Sequence, residues 1–188
     1  MISFRLGHME VKIRFSFLLL LSLLLLLQEL ELGGVFLLAV LWHELGHLLL
    51  MVLLKLPPSE LELSAFGVAL RRERSGGFWG ELALYLAGPA ANLLACVFLL
   101  PWDKVSGLFH LILAALNLLP IAPMDGGNIT ELLLEQFLDL SAARKTARRL
   151  SVIVWIALLL GATAFLLKQW NPSLLIFVLL LGLQNQKR

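Results

Sequence analysis

Six apolar runs constrain the fold of this chain more than any other feature of its sequence. A helix needs about 20 apolar residues to cross the hydrocarbon core of a bilayer. The chain is 60% hydrophobic, with a mean hydropathy of +0.90, whereas soluble domains contain about 45–50% apolar residues. The sequence therefore predicts an all-α polytopic membrane protein with six transmembrane helices, of which the first and last need flanking residues to span the bilayer. The runs cover residues 15–27, 33–54, 78–100, 105–119, 150–167 and 172–183.

The distribution of basic residues predicts the orientation of these helices. If the N-terminus is cytosolic, all 15 Lys and Arg residues except Lys104 and Lys168 fall in cytosolic segments, as the positive-inside rule requires. The sequence thus predicts a multi-pass membrane protein with both termini in the cytosol. The net charge of +2 follows from this topology and does not indicate nucleic acid binding. The single cysteine, Cys96, excludes an internal disulfide and a zinc cluster of thiolates.

A His-Glu-x-x-His pattern lies within the second apolar run. His43 and His47 are four residues apart, so in a helix both imidazoles lie on one face and can bind one metal ion. Glu44 lies beside them and can take a proton from a water molecule on that ion. Charged side chains in an apolar span cost roughly 2.5 kcal/mol or more each, which indicates that they serve a function. The pattern predicts a catalytic zinc site inside the bilayer, nearer to its cytosolic side.

A second unusual segment ends the fourth apolar run. Residues 117–127 contain Pro120 and Pro123 and end in a glycine pair, so the helix must break in the membrane or at its cytosolic edge. Asp125 is the one acid in this segment. A catalytic zinc with two histidine ligands frequently has a carboxylate as its third, and the predicted topology brings Asp125 to the depth of His47. Asp125 is therefore a better candidate for the third ligand than the acids of the polar segments.

Residues 60–70 alternate between apolar and polar side chains, which predicts a strand rather than a helix. The apolar face changes parity near Phe66, where a bulge or a tight turn is expected. A small membrane-associated hairpin or strand should therefore follow the second helix. Its edge could bind an extended peptide by strand addition, and an ordinary amphipathic hairpin on the bilayer surface fits the pattern equally well.

The third apolar run contains the sequence GPAAN at residues 88–92. Pro89 should kink the helix, and the small residues around it allow a neighbouring helix to pack closely. Asn92 needs a polar partner in an apolar span, and both support of the metal site and a local hydrogen bond in a kinked helix fit its position. His110 lies toward the outer end of the fourth run, where it is interpreted as a packing residue rather than a ligand.

Three motifs together resemble the signatures of the site-2 proteases, a family of intramembrane zinc metalloproteases. They lie at residues 43–47, 88–92 and 117–127, in that order. The resemblance implies one Zn²⁺ ion and a general base that activates water. The zinc ligands that it implies are His43, His47 and Asp125, and the base is Glu44.

Within that family, the chain most resembles the branch of stage IV sporulation factor B, which releases a mother-cell sigma factor from its pro-form. The resemblance implies a bacterial cell membrane and cleavage of a membrane-tethered protein near the cytosolic face. A single domain over residues 1–188 is expected, with no CBS domain and no PDZ domain. The residues that the resemblance assigns to substrate binding are Asn117, Phe66, Gly67 and Pro120, and Asn92 is a candidate support for the site.

The sequence thus favours a zinc-dependent intramembrane endopeptidase. The alternatives are a membrane zinc transporter, another integral-membrane zinc protease such as one that processes prenylated proteins, and a catalytically silent scaffold. A transporter fits less well because the acids and histidines of the spans do not form a continuous polar path through their outer halves. The expected partners are a membrane-tethered protein substrate, the lipid bilayer, membrane inhibitor proteins and a second copy of the chain, without nucleic acid.

Overall fold

The computed structural model describes residues 2–6, 9–13, 30–56, 60–64, 67–71, 76–169 and 173–185. The chain divides into two compact units, which comprise residues Met1–Ala115 and Leu116–Arg188. The first unit contains the strands β1 (Ile2–Leu6), β2 (Met9–Ile13), β3 (Glu60–Ser64) and β4 (Gly67–Arg71), and the helices α1 (Leu30–Leu53), α2 (Gly77–Leu99) and most of α3 (Lys104–Asn117). The second unit contains α4 (Asp125–Leu134), α5 (Leu140–Gln169) and α6 (Ser173–Asn185).

The strands of the first unit form one sheet in the order β1-β2-β3-β4. Strands β1 and β2 pair antiparallel, β2 and β3 parallel, and β3 and β4 antiparallel. In the central pair, Glu10 lies directly opposite Glu60, which places like charges face to face. Lys12 offsets this repulsion, because its Nζ lies 3.3 Å from a Glu10 oxygen and 3.0 Å from a Glu60 oxygen. The hydrogen bond to the Glu60 carboxylate raises the pKa of Lys12 above its ordinary value.

This sheet is larger than the small hairpin that the sequence predicts. The antiparallel strands β3 and β4 flank residues 65 and 66, where the parity changes, and Phe66 itself lies outside the described residues. Residues 1–14 are mixed and basic, which is typical of a cytosolic lead-in, and the structure has β1 and β2 in this segment. Sequence reasoning missed both strands because it used the basic residues only as topology signals, although β2 also alternates at period two. The association of the hairpin with a membrane stays a prediction.

Within the part of the chain that the structure describes, three helices are long and apolar enough to cross a membrane, and they cover Leu32–Leu53, Gly77–Leu99 and Leu140–Lys168. Helix α3 has 14 residues and α6 has 13, fewer than the about 20 that a perpendicular crossing needs. The first predicted span, residues 15–27, lies outside the described residues. The length and composition of the helices therefore support an integral membrane protein, whereas the count of six spans and the cytosolic termini stay predictions.

The helices after residue 124 begin and end elsewhere than the sequence suggests. The sequence predicts an amphipathic surface helix over residues 129–140 with a basic end after it. In the structure, α4 ends at Leu134 and α5 begins at Leu140, so the basic residues 144–149 lie within α5. Arg144 Nε donates a hydrogen bond to Glu131 Oε1 at 3.1 Å, which links α5 to α4. The basic end of the predicted surface helix is thus the start of a long membrane-type helix.

Helices α1 and α2 approach each other closely at Gly46. A Cβ atom at this position would lie 2.6 Å from the carbonyl oxygen of Ala87 and 2.8 Å from the Cβ of Ala91. Small residues four apart allow such an approach between membrane helices. Trp42, one turn before Gly46, donates a hydrogen bond from Nε1 to the carbonyl oxygen of Ala91 at 2.9 Å. The two backbones are therefore held in direct contact.

Helix α3 packs on this pair after a tight connection. Asp103 caps its N-terminus, because Oδ1 accepts hydrogen bonds from the backbone N–H groups of Val105 and Ser106 at 3.0 and 3.2 Å. The hydroxyl of Ser106 also donates to the Asp103 carboxylate, and these bonds lower the pKa of Asp103. Phe109 of α3 contacts Phe36 of α1 edge to face, with ring centroids 6.3 Å apart. These contacts fix the rotation of α3, and with it the direction of His110.

We predict that Gly46→Ala destabilises the first unit. The added methyl group would meet the backbone oxygen of Ala87, which cannot move cheaply. Overpacking of this kind costs about 1–3 kcal/mol, which exceeds the about 1 kcal/mol that alanine gains over glycine in a helix. Gly34→Ala in the same helix is the matched control, because a Cβ there meets nothing within 4 Å. Unfolding of the detergent-solubilised protein should show a loss for Gly46→Ala alone, and equal stability of the two variants would contradict this packing.

Candidate metal centre

Two histidines of α1 converge in the interior of the first unit. His43 and His47 are only 4% and 8% exposed, and their Nε2 atoms lie 3.2 Å apart. Two nitrogens that each bind one tetrahedral zinc at about 2.0–2.1 Å are about 3.3 Å from each other. The separation in this structure therefore fits a shared zinc ion. The i, i+4 spacing in a helix produces this geometry without any distortion of the backbone.

The second histidine is oriented by the neighbouring helix. Its Nδ1 donates a hydrogen bond to the carbonyl oxygen of Leu84 at 2.7 Å. A neutral imidazole has one donor and one acceptor nitrogen, so His47 Nε2 carries the lone pair that a metal needs. Histidine ligands of metals usually hold their other ring nitrogen in this way, which fixes the ring and its tautomer.

The first histidine is held by an amide on α2. Asn92 is fully buried, with its Nδ2 3.2 Å from His43 Nδ1 and its Oδ1 2.9 Å from His110 Nδ1. The polar partners that an asparagine needs in an apolar span are thus His43 on one side and His110 on the other. His110 is itself only 6% exposed. The three side chains connect α1, α2 and α3 through one line of hydrogen bonds.

A glycine leaves the space in front of the two histidines open. A Cβ atom at Gly88 would lie 2.6 Å from His43 Nε2 and closer still to His47 Nε2. Any other residue type would therefore fill the position from which both nitrogens can be reached. Gly88 precedes Pro89, whose ring is fully buried in the same turn of α2. The GPAAN motif thus brings the backbone of α2 against the histidines and leaves room for an ion.

Glu44 follows His43 directly on α1 and is half-buried. Successive residues of a helix are about 100° apart around its axis, so Glu44 lies next to the face that carries the histidines. A carboxylate in this place can act on a molecule bound at that face. The residue types and spacing of a metalloprotease helix are therefore all present in α1.

In the second unit, Asp125 is the first residue of α4 and is half-buried. A carboxylate in the first turn of a helix interacts favourably with the helix dipole. The two glycines that follow allow residues 118–122 to fold back against this turn. A Cβ at Gly126 would collide with the carbonyl group of Leu118, and one at Gly127 would lie 2.7 Å from the carbonyl carbon of Ile121. The glycine pair therefore fixes the backbone that carries Asp125.

The segment before α4 is also tied to α5. The backbone N–H of Ala122 donates to Ser151 Oγ at 3.1 Å, and the side chain of Ile121 is fully buried. The hydroxyl of Thr130 donates to the carbonyl oxygen of Gly126 at 2.6 Å. These contacts give the irregular segment a defined conformation, as a carboxylate ligand would need.

The predicted site residues are distributed over both units. In the first unit, the structure brings His43, His47 and Asn92 together. Gly67 begins β4, and Phe66 lies outside the described residues. The second unit carries three of the predicted residues. Asn117 ends α3, Pro120 lies in the bend that follows it, and Asp125 begins α4.

Sequence reasoning missed two residues of this centre. Gly88 was considered only for helix packing, although its lack of a side chain is what opens the space beside the histidines. His110 was interpreted as a packing residue, whereas it donates a hydrogen bond to Asn92. The signal for His110 was the presence of two polar residues, Asn92 and His110, on neighbouring apolar helices, each of which needs a partner.

Comparisons with known proteins agree with this centre. Residues 102–162 match the model of Peptidase family M50, a region that includes Asp125 but not the two histidines. The chain is 32% identical over 105 residues to the "Putative zinc metalloprotease sll0528" of Synechocystis sp., which covers 48% of this chain and 28% of that protein. The chain thus spans less than a third of the length of this curated relative.

The fold is similar to a solved structure over nearly its whole length. It resembles the Site-2 Protease from Methanocaldococcus jannaschii with a TM-score of 0.72 and 22% sequence identity, over 99% of this chain and 94% of that one. The three comparisons all lead to proteins described as peptidases or proteases. The fold of this chain is similar to that of the solved site-2 protease.

We predict that Gly88→Ala prevents zinc binding. The methyl group would occupy the space next to both Nε2 atoms, so the zinc content of the purified protein should fall below about a tenth of the wild-type value, since even changes to supporting residues cost about 10–100-fold in metal affinity. Gly80→Ala in the same helix, where a Cβ meets nothing within 4 Å, is the control. Metal analysis by mass spectrometry gives the answer. Full zinc content in a folded Gly88→Ala variant would contradict this location of the site.

Proposed function

We propose that this protein is a zinc-dependent intramembrane endopeptidase that cleaves a membrane-tethered protein near the cytosolic face of the bilayer. The observation that carries the proposal is the buried histidine pair, whose Nε2 atoms lie 3.2 Å apart on a helix that is long and apolar enough to cross a membrane. Such a pair serves no packing purpose that two apolar residues would not serve better. Its burial among apolar helices supports chemistry within the membrane.

We propose His43, His47 and Asp125 as the three zinc ligands. Each of the three offers a ligand atom of a kind that zinc prefers, an imidazole nitrogen or a carboxylate oxygen. Two histidines and one carboxylate are a common ligand set of catalytic zinc, and they leave a coordination position for the reaction. The orientation of His47 by Leu84 and the glycine-supported backbone of Asp125 support this assignment.

Glu44 is the proposed general base and general acid. When bound, zinc would polarise the peptide carbonyl and make water a stronger nucleophile. Glu44 accepts the proton of the attacking water and then passes it to the amine nitrogen of the leaving peptide. Its half-buried position beside the histidine face supports this role, because it places a carboxylate next to the two proposed nitrogen ligands.

The substrate must reach these residues in an extended conformation. A helical segment hides its carbonyl groups in its own hydrogen bonds, so it has to unwind before cleavage. Strand β4 begins at Gly67 and is an edge of the described sheet, and an edge strand can pair with an extended peptide. We propose that Phe66 and Gly67 bind the substrate there, and that Asn117 and Pro120 bind its backbone near the cleaved bond.

The substrate class follows from the motifs. Their resemblance to the stage IV sporulation factor B branch favours a membrane-tethered pro-protein of the sigma-factor type, released into the cytosol of a bacterium. Both termini of the enzyme would then lie in the cytosol, as the basic residues predict. Membrane inhibitor proteins and a second copy of the chain are further partners that such an enzyme could have.

We predict that Glu44→Gln keeps zinc and abolishes cleavage. Glutamine has nearly the same shape as glutamate but cannot accept the proton, and the loss of general base catalysis lowers rates by about 10²–10⁴-fold. Co-expression with tethered candidate pro-proteins should give a smaller product on a gel with the wild type and none with the variant. Cleavage by zinc-loaded Glu44→Gln at the wild-type rate would reject the mechanism. Zinc flux into liposomes without any cleavage would instead indicate a transporter.

We predict that Asp125→Ala lowers zinc affinity by more than about 100-fold, because the loss of a ligand should exceed the effect of the residues that support ligands. Chelator competition on the purified protein measures this affinity. Glu135→Gln removes a half-buried carboxylate at the other end of α4 and should leave the affinity unchanged. An unchanged zinc affinity in Asp125→Ala would exclude Asp125 as a ligand. The proposal that His43 and His47 are ligands would be unaffected.

A further inference from the structure

We propose that Asn92 and His110 form a hydrogen-bonded switch that sets which ring nitrogen of His43 carries the proton, and therefore whether Nε2 can bind the metal. This inference rests on the proposed zinc site and adds two positioning residues to it. The side chains involved are fully buried or nearly so: Asn92 is 0% exposed, His43 4% and His110 6%. Polar groups that are buried to this extent nearly always have hydrogen-bond partners, and here hydrogen bonds join these groups to one another. The direction of each hydrogen bond in the line is therefore coupled to the next.

The donors in this line all point the same way. Asn92 Oδ1 can only accept, so His110 Nδ1 donates to it across 2.9 Å. Asn92 Nδ2 can only donate, so His43 Nδ1 accepts across 3.2 Å. The proton of a neutral His43 then lies on Nε2, which faces Nε2 of His47 at 3.2 Å. His47 Nε2 accepts a hydrogen bond from this N–H group, and His47 Nδ1–H donates a hydrogen bond to the carbonyl oxygen of Leu84.

A zinc ion on His43 requires the opposite direction. Binding through Nε2 needs a lone pair on that atom, so the proton of His43 must lie on Nδ1 and face an acceptor. The acceptor at this place is the amide of Asn92, and it accepts only through its oxygen. The oxygen and nitrogen ends of an amide are nearly the same size. A half-turn of the Asn92 amide therefore presents Oδ1 to His43 within the same space.

The half-turn of the Asn92 amide also changes which nitrogen of His110 must carry the proton. Asn92 Nδ2 would then donate toward His110 Nδ1, which has to accept, so the proton of His110 must lie on Nε2. Each imidazole keeps one proton in both arrangements and stays neutral, so the exchange needs no net uptake or release of protons. The structure thus assigns His110 a task on α3 that is coupled to zinc without any contact with it. His110 selects which end of the Asn92 amide faces the ligand.

This coupling makes it possible to test whether His110 positions the metal ligand or only packs against its neighbours. A residue that only packs would affect stability but would not change its tautomer when zinc binds at another side chain. An aspartate at position 92 would accept from His43 Nδ1 with either oxygen, so it would need no orientation by His110. The effect of changing His110 should therefore depend on whether residue 92 is an amide or a carboxylate.

The first experiment measures the tautomers directly. The protein, labelled with ¹⁵N in its histidines, is titrated with zinc in lipid nanodiscs, and the His110→Gln variant identifies the signals of His110. Zinc should move the proton of His110 from Nδ1 to Nε2 and that of His43 from Nε2 to Nδ1. If zinc binds with the expected change at His43 while the proton of His110 remains on Nδ1, the inference is overturned.

The second experiment measures zinc affinity in a double-mutant cycle. Asn92→Leu should weaken zinc binding by about 10–100-fold, as the loss of a residue that orients a histidine ligand does. Asn92→Asp should bind zinc within a few-fold of the wild type. His110→Phe should weaken zinc binding about 10-fold when residue 92 is Asn, and have no such effect in the Asn92→Asp background. Equal effects of His110→Phe in both backgrounds would overturn the inference.

The two outcomes distinguish this inference from the proposed function. Zinc affinity and tautomers are measured without any substrate, so they do not depend on proteolysis. A chain that binds zinc and shows the coupling but cleaves no tethered protein would contradict the endopeptidase proposal alone. A chain that cleaves its substrate while His110 responds neither to zinc nor to residue 92 would contradict the switch alone. Thermal unfolding of each variant confirms that the compared proteins are folded.

Discussion

The direct contact between α1 and α2 is the constraint on which the rest of the first unit depends. Gly46 lies against Ala87 and Ala91, and a single methyl group would separate the helices. Only at this distance can His47 reach the carbonyl of Leu84 and His43 reach Asn92. In lipid, where helices gain nothing from leaving water, close packing and interhelical hydrogen bonds have to provide the association. The orientation of the histidines therefore depends directly on the close packing of α1 and α2.

The polar groups of the centre illustrate how an apolar protein can contain ionisable side chains. Each of the described histidines in this region has a partner on another helix, and Asn92 serves two of them. A buried polar group without a hydrogen-bond partner costs about 1–3 kcal/mol. Removal of one of these side chains should therefore destabilise the protein, because its partner is left without a hydrogen bond. The same network therefore stabilises the helix packing and holds the rings of His43 and His47 side by side.

The sequence predicts local features of this protein well and nonlocal ones less well. The positions of His43 and His47 on one helical face follow from their spacing alone, and so does the break before Asp125. The partner of Asn92 does not follow, because His110 lies on another helix and nothing in the spacing connects the two. The parallel pairing of β2 with β3 was missed for the same reason. Gly88 matters because it has no side chain that would fill the space beside the histidines. The pattern of apolar and polar residues does not show where such a space is needed.

The parallel pairing of β2 with β3 also has a consequence for biosynthesis. Parallel strands need a long connection, and here the whole of α1 is translated between β2 and β3. The N-terminal hairpin therefore leaves the ribosome well before the strand that completes its pairing exists. Long-range pairing of this kind is slow compared with local folding. The sheet can therefore close only after α1 has been synthesised, so the order of synthesis limits the order in which the parts of the first unit assemble.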